Sequence, residues 1–175
     1  MAKREALREL QGRLAERLQQ ARTEVRPVSW LAVECAGVGL LVPLPSAGEI
    51  FSVGTVLPVP HTQRWFLGVA NLRGGLHGVV DLAAFLGLRA PIARDAVREQ
   101  ARLLAFNARQ GSHCAILVDR LAGLRSPEQL KPEPPDHEPR PPFAGGRWCD
   151  ADGRSWQEFD LAALARHEQF LAISA

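Results

Sequence analysis

Residues 66–88 read FLGVANLRGGLHGVVDLAAFLGL, and the order of residue types within this stretch decides the fold. Gly68 to Leu72 and Leu76 to Asp81 are two short runs rich in β-favouring side chains, separated by the polar, glycine-rich Arg73-Gly74-Gly75. Two such runs around a tight turn form a hairpin. Asn71 and Gly74 suit the positive φ that the turn needs, and Arg73 is held near its tip with the guanidinium free to pair. After the second run the period changes. Leu82 to Leu86 starts beside Asp81, a fair N-cap, and stops at Gly87, a fair C-cap, so a short helix follows the strand.

The same device recurs near the C-terminus, where EFDLAALARH places a helix over Leu161 to Arg166, started by Asp160. This points to a layout used twice. Between and around the two copies lie further short β-favouring runs: Trp30 to Val33 and Val38 to Val42 about Gly37, then Val53 to Val59, Arg102 to Asn107 and His113 to Asp119. A closing hairpin is predicted over Phe143 to Trp148 and Ser155 to Asp160, turning at Asp150 to Gly153. Many short strands at this spacing predict a mainly β architecture of barrels or a sandwich.

Two segments break the pattern. In residues 2–24, Leu7, Leu10, Leu14, Leu18 and Ala21 recur at spacings of three and four among Arg and Glu, an amphipathic helical stripe that ends before Pro27. Residues 1–26 are therefore set apart from a main domain at 27–175. Within that domain, residues 127–142 hold seven of the thirteen prolines, which predicts an exposed extended connection without sheet or helix.

Composition narrows the function. No run of the 175 residues approaches the 18 or so apolar positions of a bilayer-spanning helix, and the charged start MAKREALREL lacks a secretory apolar stretch, so the expected place is the cytoplasm. A net charge of +2, with both signs interspersed, argues against nucleic acid as a partner. Cys35, Cys114 and Cys149 show no metal-ligand spacing and read as reduced thiols. His61, His77, His113, His137 and His167, with Asp81 and Asp119, form no recognisable catalytic set, and neighbours His113 and Cys114 point to opposite faces of a strand. No catalytic residue, metal or cofactor is expected.

The 66–88 stretch resembles the signature of CheW-like domains: a strand, the motif NLRG, a second strand ending in VVDL, and a helix closed by LGL. CAILVDRLAGL is similar to the family's later strand, and DGRSWQEFDLAALA to its closing hairpin and helix, so the resemblance spans roughly residues 28–172. It implies two small five-stranded β-barrels sharing a hydrophobic core. It also implies a non-catalytic adaptor, one surface binding the regulatory domain of a CheA-type histidine kinase and another the cytoplasmic tip of a methyl-accepting chemoreceptor. Carried over by motif, the implied protein-binding residues are Asn71, Leu72, Arg73 and Gly74 of NLRG, Val80 and Asp81 of VVDL, which continues into Leu82, and Asp119 and Arg120 at the later strand's end. Glu49 falls where the family places an acid that pairs with the motif arginine.

The Pro-rich excursion and the closing Trp156-x-Glu158-Phe159-Asp160 are similar to the PilI subgroup, whose chemosensory systems control type IV pili and twitching motility. A flagellar chemotaxis array is the alternative setting. A small β-barrel that binds single-stranded nucleic acid and a small histidine-based hydrolase are the readings from other classes.

Overall fold

Trp30 to Cys35, Leu40 to Val42, Leu103 to Phe106 and Cys114 to Val118 are apolar at nearly every position, so they bury both faces, unlike a strand with one wet side. That demand for cover on two sides organises the molecule. The computed structural model describes residues 29–91, 99–135 and 139–175. The helix expected within 1–26 lies outside the described residues.

Among the described residues eleven strands appear: β1 (Trp30–Cys35), β2 (Val38–Pro43), β3 (Ala47–Ser52), β4 (Phe66–Leu72), β5 (Gly75–Asp81), β6 (Arg102–Phe106), β7 (Cys114–Val118), β8 (Arg120–Arg125), β9 (Leu130–Pro132), β10 (Ala144–Asp150) and β11 (Ser155–Phe159). Among the described residues three short α-helices accompany them: α1 (Leu82–Phe85), α2 (Leu161–Leu164) and α3 (Glu168–Leu171). The strands form two sheets, ordered β8-β1-β2-β11-β10-β9 and β3-β6-β7-β5-β4.

The chain follows one course twice: hairpin, bent strand, hairpin, helix. The first pass is β1–β2, β3, β4–β5 and α1; the second is β6–β7, β8 with β9, β10–β11 and α2. Each opening hairpin joins the sheet built by the remainder of the other pass, through the parallel pairs β2–β11 and β5–β7. The layout used twice is thus real, with the hairpins exchanged.

Both sheets close into rings of five. In the first, β8 and β9 are one stretch of chain turned at the 3₁₀ corner Pro127–Gln129, so a single bent strand pairs with β1 on one side and β10 on the other. In the second, the chain beyond β3 returns to β4, where Leu57 and Val69 exchange backbone hydrogen bonds of 2.8 Å in both directions. Three apolar clusters fill the result. Trp30, Ala32, Leu41, Leu130 and Trp156 lie inside the first ring. Leu67, Ala70, Leu72, Val79, Leu103 and Ala115 lie inside the second. Between the rings, Leu31, Val33, Val42, Val80, Leu104 and Ile116 meet Phe143, Phe159, Leu161 and Leu164 in the shared core. Residue parity along β1, β2, β6 and β7 assigns alternate side chains to ring and core.

Several expectations need correction. The run Val53–Val59 is not a strand; the strand is Ala47–Ser52, and Val53 and Val56 fill the second ring where the chain turns its corner. The Pro-rich segment is not wholly irregular, since its start forms the 3₁₀ corner and β9, with Leu130 buried and Pro132 on the free edge of a three-residue strand. The helix α3 is an addition, and its Phe170 stacks between Trp65 (6.2 Å) and Phe106 (5.9 Å).

Closure of the second ring depends on Gly68. Its φ is +131°, and a β-carbon there would lie 2.0 Å from the Leu57 carbonyl oxygen. Gly74, by contrast, has φ +82° with open space around it. Gly68→Ala should therefore cost more than about 3 kcal/mol by combining strain with a backbone clash. Gly74→Ala should cost only about 1 kcal/mol, from strain alone. Parallel thermal melts check the contrast: equal losses would contradict this account of the closure.

Candidate functional site

The β4–β5 ladder ends at the pair Leu72–Gly75, which leaves Arg73 and Gly74 as the two turn residues. Both have positive φ, +50° and +82°, as the type I′ turn of a two-residue hairpin requires. Asn71 remains on the strand; its side-chain Oδ1 accepts from the Gly74 N–H at 2.8 Å. The left-handed residue beside Gly74 is therefore Arg73 and not Asn71, whose part is to cap the turn.

Arg73 meets Glu49 at 2.7 Å, the pairing that the resemblance implies. The approach comes from a bulge: the β3–β6 register slips between Ala47 and Ile50, and Gly48 passes so close to Phe106 that a β-carbon would sit 2.6 Å from its carbonyl oxygen. The side chains are 76% and 52% exposed, so the pair adds at most about 1 kcal/mol to stability. A non-glycine residue in the left-handed region costs a similar amount or more.

Val80 and Asp81 are fully enclosed, while Leu72 is buried at the foot of the surface grooves beside Arg73. Asp81 caps α1 through Ala84 N (3.3 Å) and receives both Arg89 terminal nitrogens, at 3.2 and 3.0 Å. The same guanidinium reaches Asp119 at 3.2 Å, and the second Asp119 oxygen accepts from Ala36 N at 2.7 Å. Arg89 thus joins the ends of β5 and β7 in the second ring to the β1–β2 turn of the first. Two acids that end neighbouring parallel strands were the available signal for a cation here, although no spacing singles out Arg89.

Arg120 pairs with Glu34 on β1, as does Arg154 from the β10–β11 turn. Burial pushes the Glu34 carboxyl up, but hydrogen bonds and charge from Arg120 and Arg154 outweigh it and hold the group below the ordinary range. Arg154 also lies 4.5 Å over the ring of Trp156. Trp30 and Trp156 are buried, at 3% and 1% exposure, so neither offers a base-stacking surface.

Of the histidines, His77 and His113 come together edge to face at 5.6 Å, and His77 Nδ1 donates to the Gly75 carbonyl. His167 instead packs against Phe85 and Phe143, while the His61 carbonyl accepts from Ala175 N. His137 lies outside the described residues. Cys35 and Cys114 are buried, and desolvation, aided at Cys35 by Asp119, pushes each thiol up to about 12.

Two predictions follow from these geometries. Arg89→Met removes a two-point guanidinium contact from the buried Asp81 carboxylate and should cost about 3 kcal/mol, whereas Glu49→Gln should change stability by less than about 1 kcal/mol. Chemical denaturation of both variants compares them. With a thiol-specific reagent at neutral pH, Cys149 should react in the native protein, with Cys35 and Cys114 reacting only after unfolding; three fast thiols in the native state would show that the core is open.

The comparisons with known proteins agree with this architecture. The family model for the CheW-like domain matches residues 29–169. Protein PilI of Pseudomonas aeruginosa is 28% identical over 168 residues, covering 93% of this chain and 89% of its own. The crystal structure of the scaffolding protein TtCheW from Thermoanaerobacter tengcongensis superposes with a TM-score of 0.62 at 18% identity, covering 79% of this chain and 88% of that one. The strand rings, the NLRG turn and the extent of the family match lead to one assignment: the chain belongs to the CheW-like domain family.

Proposed function

We propose that this protein is a non-catalytic adaptor that couples the cytoplasmic tip of a chemoreceptor to the regulatory domain of a CheA-type histidine kinase. The output in this reading is twitching motility driven by type IV pili, for which the likeness to PilI over nearly the whole chain is the support. Family membership supports the adaptor class.

The observation that carries the reading is the energetics of the NLRG tip. Arg73 occupies a left-handed position at a cost of about 1–2 kcal/mol, and its exposed pair with Glu49 returns at most about 1 kcal/mol. Glycine would serve the fold as well or better. A charged side chain kept at such a position is explained by what it meets outside the chain. Asp119 and Arg120 take structural roles in this account, through Arg89 and Glu34, while Asn71, Arg73, Gly74 and Glu49 form the surface offered to a partner.

Titration calorimetry of the full chain against the kinase regulatory domain and against a soluble receptor cytoplasmic hairpin tests the proposal. Micromolar or tighter binding to both is expected. Arg73→Gly should keep the circular-dichroism spectrum and raise or preserve the melting temperature, yet weaken one partner at least about tenfold. A folded protein that binds neither partner would overturn the adaptor reading.

A further inference from the structure

The inward faces of β5 and β7 run out of the second ring side by side. Val79 on β5 and Ala115 and Leu117 on β7 lie inside that ring, and the strands pair in parallel with Val79 opposite Ala115 and Gly78 opposite Cys114. One step earlier the register sets His77 opposite His113. The ladder reaches that far, since Gly78 N donates to the His113 carbonyl at 2.9 Å. Side chains alternate along a strand, so both imidazoles share the face of Val79 and Ala115 and stand at the open end of the ring. Cys114 has the opposite parity and turns into the shared core.

The two imidazole rings lie 5.6 Å apart at an interplanar angle of 78°. Two imidazoles that share one ion, each through a nitrogen about 2.0–2.1 Å from it, hold their ring centres about 5 Å apart, so a small side-chain rotation closes the pair. His113 is exposed and has room to turn. His77 is already set: its Nδ1 donates to the Gly75 carbonyl at 3.0 Å, and a β-carbon at Gly75 would lie only 3.1 Å from the ring. A carbonyl oxygen only accepts, so the proton is on Nδ1 and Nε2 keeps its lone pair. A backbone carbonyl that holds the far nitrogen is the arrangement that orients a metal-bound histidine and raises its basicity. His77 also lines a surface groove of about 370 Å³, beside Phe51, Leu72 and Ala105, so the pair is open to solvent.

We propose that His77 and His113 form a binding site for a borderline divalent transition-metal ion of the Zn²⁺ class. His77 Nε2 and one ring nitrogen of His113 are the protein ligands. Among the described residues no third His, Cys, Asp or Glu joins them, so water fills the remaining positions of the ion. A structural zinc site is closed by four protein ligands, whereas this one is open and its ion exchangeable. Imidazole suits Zn²⁺, Ni²⁺ and Cu²⁺, while Mg²⁺ and Ca²⁺ take oxygen ligands and find none here from the protein. Ion binding of this kind needs no partner protein, so it stands or falls apart from the adaptor reading.

Heteronuclear NMR that reads the histidine ring nitrogens of the full chain, titrated with Zn²⁺ alone, tests the site. His77 Nε2 and one nitrogen of His113 should shift together, with half-saturation on the order of 10–100 µM, while His77 Nδ1 keeps the position of a protonated nitrogen. Mg²⁺ at the same concentrations should move neither ring. Calorimetry should then find that His77→Gln and His113→Gln each weaken Zn²⁺ binding at least about tenfold, with the melting temperature kept within a few degrees. The site is overturned if neither ring responds at about 1 mM Zn²⁺, or if the chain takes up Zn²⁺ while both rings stay unchanged. It is equally overturned if Mg²⁺ moves the rings as Zn²⁺ does, or if either variant binds Zn²⁺ like the wild type. A variant that melts lower leaves the test intact, because the ring shifts are read on the wild-type chain.

Discussion

Burial of both faces of β1, β2, β6 and β7 is the constraint from which the rest of the structure follows. A strand apolar on one side asks for one layer of cover. These four ask for two, and the chain supplies them by giving each strand a ring interior on one face and the shared core on the other. The exchange of hairpins between the two passes makes this possible, because each opening hairpin is held by a ring drawn from the opposite half of the sequence. The core is consequently a joint product of both rings, and Arg89 sits where polar strand ends must cross between them.

Much of this is legible in the sequence. WLAV, GLLV, LLAF and CAILV are unbroken apolar runs, and Asp81 and Asp160 announce helices because a carboxylate before a leucine-rich turn caps free backbone N–H groups. Other elements are hidden for physical reasons. β3 carries a bulge at Gly48 and Glu49, which breaks the alternation that would reveal it. β9 is three residues long and ends in a proline that only a free edge tolerates. Phe170 belongs to a helix of one turn, whose existence depends on the slot between Trp65 and Phe106.

The candidate site divides in the same way. The hairpin tip is readable from Asn71 and Gly74, but the left-handed residue is Arg73, since Asn71 acts through its side chain. The Glu49–Arg73 contact follows from family resemblance and could not be reached from spacing, because a bulge on another strand creates it. Arg89 is beyond sequence reasoning for a related cause: its two acids are 8 and 30 residues away and meet only through the parallel pairing of β5 with β7.

The exchanged hairpins also set an order of events during synthesis. Gly39 on β2 finds its parallel neighbour only when Trp156 has left the ribosome, more than a hundred residues later. At roughly 5–20 residues per second, β1 and β2 wait on the order of ten seconds for the strands that close their own ring. The second ring is complete once β7 has emerged, so it can form first and shelter one face of the waiting hairpin. A chain of this topology can thus form from its middle outward, and it is most exposed to misassociation in the interval before its last hairpin arrives.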